Sequence, residues 1–215
     1  MPLYTTDALI LRTYKLGESD RIVVFLTRDR GKKRGVAKNA RQSRRRFGGA
    51  LEPLTYGRVG YVERERRELV SLNYVEPARS PLSAVDGDVL AYVGYFAELI
   101  DEWAQEADPN ETLYRLGASM VDAMAVGVPI EPLARYFEYW LLRLQGVYQT
   151  DAGLSSEARK FLGTAREVSP FGLCRVAVSR GALMELEAAH RALIAMHLEK
   201  DLESVRVLKE IRRTP

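Results

Sequence analysis

Residues 20–38 read DRIVVFLTRDRGKKRGVAK, and this stretch decides the fold class. The run Asp20–Thr27 is rich in Ile, Val and Phe, which are typical of β-strands. Asp29-Arg30-Gly31 supplies turn chemistry, because glycine accepts backbone conformations that other residues avoid. Lys33–Lys38 then predicts a further strand. The stretch therefore predicts two strands joined by a short turn.

Three more strands flank this pair. Asp7–Tyr14 precedes it, and Tyr56–Arg64 and Glu68–Val75 follow the polar, basic segment Asn39–Gly49, which is predicted to be a mobile loop. The middle strands carry apolar residues on both faces, as in a small closed barrel. Five short strands with a basic loop suggest an OB-fold, although the strand count also fits an SH3-like barrel.

The apolar period changes near residue 80. Val89, Phe96 and Trp103 belong to a series spaced by three and four residues, which predicts an amphipathic helix. Asp108 is predicted to cap the next helix, and similar periodicity continues to Ile211. The fold class is therefore predicted as α+β with two domains: a five-stranded OB-fold barrel over residues 1–79, then an all-α bundle of four to six helices over residues 80–215.

Composition excludes several classes of protein. Of the 215 residues, 47% are apolar and 28% are charged, as in an ordinary globular chain. The sequence has no run of 18 apolar residues, so no membrane-spanning helix is predicted, and the first residues do not resemble a signal peptide. Cys174 is the single cysteine, which excludes an intramolecular disulfide and a four-thiolate metal site and fits a reducing compartment. We therefore expect a cytoplasmic protein.

Charge is divided unevenly along the chain. Residues 1–80 have a net charge of +9 and residues 81–215 a net charge of −6. Ten basic residues lie between Arg28 and Arg46, opposed only by Asp29. Such a concentration repels itself unless an anion relieves it. It predicts a surface that binds a polyanion, whereas a solvated loop without a ligand is the alternative.

Catalytic motifs are missing from the sequence. Gly31-Lys32-Lys33 lacks the hydroxyl residue and the glycine spacing of a phosphate-binding loop, and no G-x-S-x-G motif occurs. His190 and His197 share a helix face with leucines, which favours packing over metal binding. Acidic pairs such as Asp101-Glu102 and Glu185/Glu187 are expected on polar helix faces, which argues against a nuclease. We therefore predict no enzymatic activity, no cofactor and no metal.

Aromatic residues are interpreted mainly as core. Trp103 and Trp140 lie on apolar helical stripes. For each aromatic residue of the barrel region, core packing is favoured over stacking on bases.

The order of short motifs resembles the RecO family of DNA repair proteins. The similar segments span most of residues 5–146 and are, in order, Ala8–Arg12, Gly17–Val23, Phe25–Thr27, Val36–Lys38, Arg44–Gly49, Leu51–Leu54 and Tyr136–Gly146. Many members of that family carry two CxxC pairs for zinc after the last of these segments. Residues 147–180 hold only Cys174, so that zinc site is excluded here. Asn39 replaces a family glycine, and asparagine tolerates left-handed backbone.

The resemblance implies a recombination mediator. Such a protein binds single- and double-stranded DNA, anneals complementary strands without ATP and helps to load recombinase onto strands coated with single-strand-binding protein. The implied partners are RecR and the acidic C-terminal tail of the single-strand-binding protein, and the implied location is the cytoplasm, in association with the nucleoid.

The basic residues of the first domain are the predicted DNA contacts. They are Arg21, Lys32, Lys33, Arg34, Lys38, Arg41, Arg44, Arg45 and Arg46. The last three are expected to be replaceable with little loss of stability, and the acidic helical region is expected to face away from DNA. Two alternatives stay open: an OB-fold protein that binds RNA or the ribosome, and an adaptor whose basic loop docks an acidic protein.

Overall fold

A computed structural model describes residues 2–64, 67–81, 87–148 and 153–211, without the side chains of Arg44, Gly87 and Asp88. Its N-terminal region consists of five strands and one short helix. They are β1 (Leu3–Leu16), β2 (Asp20–Thr27), β3 (Gly31–Ala37), α1 (Arg44–Phe47), β4 (Tyr56–Val62) and β5 (Val70–Arg79).

The strands close into a barrel in the order β1-β2-β3-β5-β4. β3 and β5 run parallel, and every other neighbouring pair, including β4 with β1, is antiparallel. A five-stranded barrel of this topology is an OB-fold. The predicted fold class is confirmed, and the barrel is an OB-fold rather than the SH3-like alternative.

The barrel core follows the two-residue period of the strands. Ile10, Val23, Phe25 and Tyr61 are fully buried in it, because alternate side chains point inward. Phe47 of α1 is only 2% exposed and packs into the same cluster. The segment predicted to be a mobile loop therefore contains a helical turn anchored by a buried aromatic ring.

The turn into that segment uses left-handed backbone, as predicted. Asn39 has φ of 54°, and its backbone N–H donates to Asp20 Oδ1 at 2.8 Å. Asparagine adopts this conformation at lower cost than most residues.

Helical residues complete the first of two compact units. This unit joins residues 1–83 to 93–121, which contain most of α2 (Gly87–Trp103) and of α3 (Glu111–Ala125) and the connection between them. Gly117 allows close packing on β1: a Cβ there would lie 2.6 Å from Leu9 Cδ2. Gly31, with φ of 69°, likewise lies against the backbone of Asp108. A Cβ added to Gly31 would lie 2.4 Å from the backbone nitrogen of Asp108. Trp103 is buried, as expected of core.

The cap of α3 differs from the prediction. Asn110 Oδ1, rather than Asp108, accepts a hydrogen bond from the amide of Leu113 at 2.9 Å. The helix starts at Glu111, so a side chain at position 110 meets the free amides of the first turn.

The second compact unit comprises residues 84–92 and 122–215. Its other described elements are α4 (Ile130–Leu144), α5 (Ser156–Glu167), a 3-10 helix (Pro170–Arg175), α6 (Arg180–Leu198) and α7 (Glu203–Ile211). Trp140 lies at the join of α4 and α5, where its Nε1 donates to the carbonyl of Ala165 at 3.1 Å.

Two serines cap α5 and α6 in a reciprocal arrangement. The hydroxyl of Ser155 at the start of α5 donates to Glu185 of α6 at 2.6 Å, and that of Ser179 at the start of α6 donates to Glu157 of α5 at 2.7 Å. Hydrogen bonds from the serines lower the pKa of both carboxyls. Each glutamate thus fixes the neighbouring helix start.

A buried ionic network joins α4 to α6. Glu138 is 1% exposed; its carboxylate lies 3.0 Å from Arg135 Nη2 and 3.1 Å from His190 Nδ1. Arg135 also lies 3.3 Å from Glu187, so Glu187 does not occupy the purely polar face expected of it. The packing role predicted for His190 is confirmed, since it is 1% exposed.

Ionisation of the buried Tyr61 is expected to lower the stability of the barrel at alkaline pH. Its hydroxyl is buried and has no hydrogen-bond partner among the described residues. Burial, with a smaller effect from Glu63, raises the pKa of Tyr61 from 10.0 to about 12. Because the raised pKa favours the neutral phenol in the folded state, its contribution is complete below pH 10 and is lost as the pH rises towards 12.

Replacing Tyr61 by phenylalanine is expected to raise the free energy of unfolding by about 1 kcal/mol, because an unsatisfied buried hydroxyl is removed. The variant should also lose less stability than the unmodified protein above pH 10. Denaturant unfolding at neutral and alkaline pH measures both effects, with Tyr14→Phe, which removes an exposed hydroxyl that is hydrogen-bonded to Arg12, as the control. A destabilised Tyr61→Phe protein would contradict this reading.

Candidate nucleic-acid interface

The basic residues of β3 point to opposite sides of the strand. Lys33 shares the inward side with Gly35 and Ala37, and its ammonium lies 2.8 Å from Glu63 Oε1 at the end of β4. Lys32 and Arg34 lie on the outward side. The strand period therefore divides a continuous basic run between two environments.

Lys32 is engaged within its own unit. Its ammonium donates to the Asp101 carbonyl at 2.6 Å and to the Asp101 carboxylate at 3.1 Å, and its side chain is 16% exposed. Arg12 also contacts Asp101, at 2.9 Å, and Arg28 pairs with Glu111. The expectation that the acidic helical region faces away is wrong for these carboxylates, because α2 and α3 pack on the barrel and neutralise part of its charge.

A second group of cations is open to solvent. Arg34, Lys38 and Arg45 are exposed, and none forms an ion pair with a carboxylate in the described part of the chain. Lys38 follows β3 directly, and Arg45 lies on α1. These three side chains are therefore accessible to a ligand.

Arg46 has a structural role that the sequence did not indicate. Its guanidinium donates to the Lys38 carbonyl at 2.7 Å and to the Ser43 hydroxyl at 2.9 Å, and it lies over the ring of Phe47. Replacing Arg46 would remove these contacts, so the expectation that Arg44–Arg46 can be replaced together with little loss of stability stays a prediction for a stability measurement to check. The side chain of Arg44 lies outside the described part of the structure.

A groove on the outer surface of β3 and β5 collects further basic residues. Its volume is about 480 Å³, and Lys38, Arg64 and Arg67 line it beside Val36 and Leu69. Arg64 and Arg67 were missed as site residues, because Arg64 was assigned to the end of the fourth strand and Arg67 to the short connection that follows it. The signal was available, since the loop between strands 4 and 5 binds ligands in many OB-folds.

Arg21 and Arg41 lie together at another place. Both line a pocket at the end of the barrel where α1 lies, with Phe47 and Leu51 among its walls. Of the predicted DNA contacts, Arg34, Lys38 and Arg45 are open, Arg21 and Arg41 line this pocket, Lys32 and Lys33 are paired, and Arg46 is hydrogen-bonded within the fold. The three open residues, together with Arg64 and Arg67, which were not predicted from the sequence, are called the open strip.

Exposed aromatic side chains are few on the barrel. Phe25, Phe47 and Tyr61 are buried, as expected of core, whereas Tyr14 is 44% exposed. Among the described residues, no group of three His, Cys, Asp or Glu side chains could hold a metal ion. No described helix is long and apolar enough to cross a membrane.

Comparison with known proteins assigns both parts of the chain. The model of the recombination protein O N-terminal domain matches residues 1–81, and that of the C-terminal domain matches residues 84–214. The chain belongs to the RecO family. The resemblance inferred from the order of short motifs is confirmed.

Relatives of the RecO family match the chain over different lengths. The DNA repair protein RecO of Koribacter versatilis is 44% identical over 67% of this chain and 59% of its own length. That of Anaeromyxobacter sp. (strain K) is 40% identical over 65% of this chain and 55% of its own length. The chain thus spans less than two thirds of these two relatives. The RecO protein of Geobacter metallireducens is 30% identical over 96% of this chain and 97% of its own length.

Proposed function

We propose that this protein acts in DNA repair and recombination by binding single- and double-stranded DNA and annealing complementary strands without ATP. The observation that carries the proposal is the open strip of five cations on an OB-fold barrel. Membership of the RecO family supports the choice of DNA as the polyanion.

The strip favours annealing through electrostatics. Two strands repel each other because both carry a phosphate at every nucleotide, and cations reduce this repulsion and release condensed counterions. If the five strip residues each neutralise one phosphate, log K for a single strand falls with log salt at a slope of about −3 to −4. Contacts to phosphate do not depend on base sequence, as annealing of arbitrary strands requires.

The partners of a mediator are part of the same proposal. We propose docking of RecR and of the acidic C-terminal tail of the single-strand-binding protein, and assistance in loading recombinase onto coated strands, in the cytoplasm at the nucleoid. For the tail, the second unit offers a groove of about 420 Å³ between α6 and α7. Ile194 and Leu202 are part of its apolar lining, and its charged lining has four cations (Arg191, Lys200, Arg206 and Lys209) and two carboxylates (Asp201 and Glu203), which leaves it net positive. Apolar and basic groups together suit an acidic segment with apolar residues.

An annealing assay tests the proposed activity. Complementary labelled oligonucleotides are mixed with the protein in the absence of nucleotide, and duplex formation is followed by energy transfer. We expect a clear acceleration over the spontaneous rate at low salt that disappears as salt is raised. An unchanged rate at low salt would contradict the proposal.

Competition experiments decide between the proposal and its alternatives. Preference for RNA over single-stranded DNA of equal length would favour an RNA- or ribosome-binding protein. Absence of any nucleic-acid binding at low salt would favour the protein adaptor.

A further inference from the structure

The pocket lined by Arg21 and Arg41 has a different character from the open strip. It has a volume of about 400 Å³, which is within the range of small-molecule sites. Its lining is somewhat more polar than apolar, and Ala40, Leu51 and Pro53 belong to the apolar part. The open strip consists of exposed side chains on β3, on α1 and in the β4–β5 connection, whereas this pocket is concave.

The fold directs Arg21 into this pocket. Arg21 lies two and four residues before Val23 and Phe25, which point into the barrel core, and β2 pairs with β3 without a bulge over this span. The strand period therefore continues the inward row to Arg21, beyond the last core residue. No described carboxylate forms an ion pair with it, so its charge is uncompensated at close range.

Arg41 is held in place beside it. Its amide donates to the Ser19 carbonyl at 3.2 Å and its Nη1 to the Glu18 carbonyl at 3.0 Å, so the turn between β1 and β2 fixes both ends of the residue. A guanidinium has five N–H donors, and Arg41 uses one of them in the hydrogen bond to the Glu18 carbonyl. The remaining donors can serve a ligand without loss of the anchor.

The pocket mouth is open and carries one opposing charge. Gly49 has φ of 82°, and a Cβ at that position would meet nothing within 4 Å. Glu52, which is exposed, is the one carboxylate among the lining residues. The hydroxyl of Thr13 donates to the Leu51 carbonyl at 2.7 Å and ties the wall to β1. Two guanidiniums against one carboxylate leave a net positive site.

We propose that this pocket binds the terminal phosphate monoester of a DNA strand, an inference that rests on the proposed function. A phosphate monoester carries about −1.5 to −2 charges at pH 7, more than an internal diester, and offers three oxygens to donors. Two arginine forks match this group well, since guanidinium and phosphate can form paired hydrogen bonds. A site of one-nucleotide size suits a strand end, and the open strip suits the continuous backbone.

Binding of strands with different ends tests the inference in the unmodified protein. Single strands of equal sequence carry a 5′-phosphate, a 3′-phosphate or hydroxyls at both ends, and a covalently closed circle carries no end. We expect one phosphorylated end to bind about tenfold tighter than the hydroxyl-ended strand and the circle, because charged hydrogen bonds are added. The two phosphorylated strands identify which end is recognised, and inorganic phosphate should abolish the preference.

Three variants separate the pocket from the strip. Arg21→Gln should remove the preference for the phosphorylated end, so that this variant binds phosphorylated, hydroxyl-ended and circular strands with affinities within about twofold of one another. Glu52→Gln should increase the preference, because a repelling charge is removed. Arg45→Gln, the control outside the pocket, should weaken binding of every strand and keep the preference.

Equal affinity of the unmodified protein for phosphorylated, hydroxyl-ended and circular strands would overturn the inference and leave the proposed function standing. Failure to bind any strand at low salt would overturn both. If Arg21→Gln has the same melting temperature as the unmodified protein, a lost preference does not result from a folding defect.

Discussion

Replacing Arg34, Lys38 and Arg45 together by glutamine is expected to weaken binding of single-stranded DNA by more than about tenfold, because three phosphate contacts are lost. The slope of log K against log salt should become shallower by about 2, at about 0.7 for each contact. All three side chains are exposed and unpaired among the described residues, so the fold should be preserved. Fluorescence anisotropy over a salt series measures affinity and slope together.

The control removes the same charge elsewhere. Arg159, Lys160 and Arg180 are exposed on α5 and α6 of the second unit, and their joint replacement by glutamine changes the net charge equally. If the strip binds DNA by local contacts, this control should change the slope little. Equal weakening by both triple variants would show that overall charge, rather than the strip, determines binding.

Replacing Glu138 by alanine is expected to destabilise the second unit by about 3 kcal/mol, since removal of this partner leaves the buried Arg135 with its longer contact to Glu187 at 3.3 Å. Arg135, 2% exposed, would then lack the carboxylate at 3.0 Å, and His190 would lack the one at 3.1 Å. Because α4 and α6 are the helices these residues join, loss of the network should loosen their packing. Denaturant unfolding followed by helical circular dichroism measures the effect.

Glu131→Ala is the matched control, because Glu131 is an exposed carboxylate at the start of the same helix. Its stability should change by no more than about 0.5 kcal/mol. A Glu138→Ala protein as stable as this control would mean that the network contributes nothing and that its charges are compensated in another way.

The barrel was predictable because its signals are local. The apolar run Asp20–Thr27 and the turn at Gly31 decide strand and connection within a few residues, and the alternation of side chains follows from strand geometry. The helical stripe ending at Trp103 was predictable for the same reason, since its period is written in the sequence.

Pairing between distant charges was not predictable. Lys32 and Asp101 are 69 residues apart, and a run of like charges shows the sign of a surface but not what packs against each residue. The burial of the Glu138 carboxylate was not predictable for the same reason. A charged residue on a helix is assigned to the solvent-facing side unless its partner on another helix is known. The contacts of Arg46 were not predictable either, because its hydrogen bonds to Lys38 and Ser43 depend on a helical turn that a polar loop pattern does not reveal.

Photocross-linking of a thiothymidine-substituted single strand, followed by peptide mapping, tests most directly whether the open strip of the barrel holds the DNA. We expect cross-linked peptides from β3, from α1 and the turn before it, and from the β4–β5 connection that carries Arg64 and Arg67. Cross-links confined to α4–α7, with none on the barrel, would contradict the account.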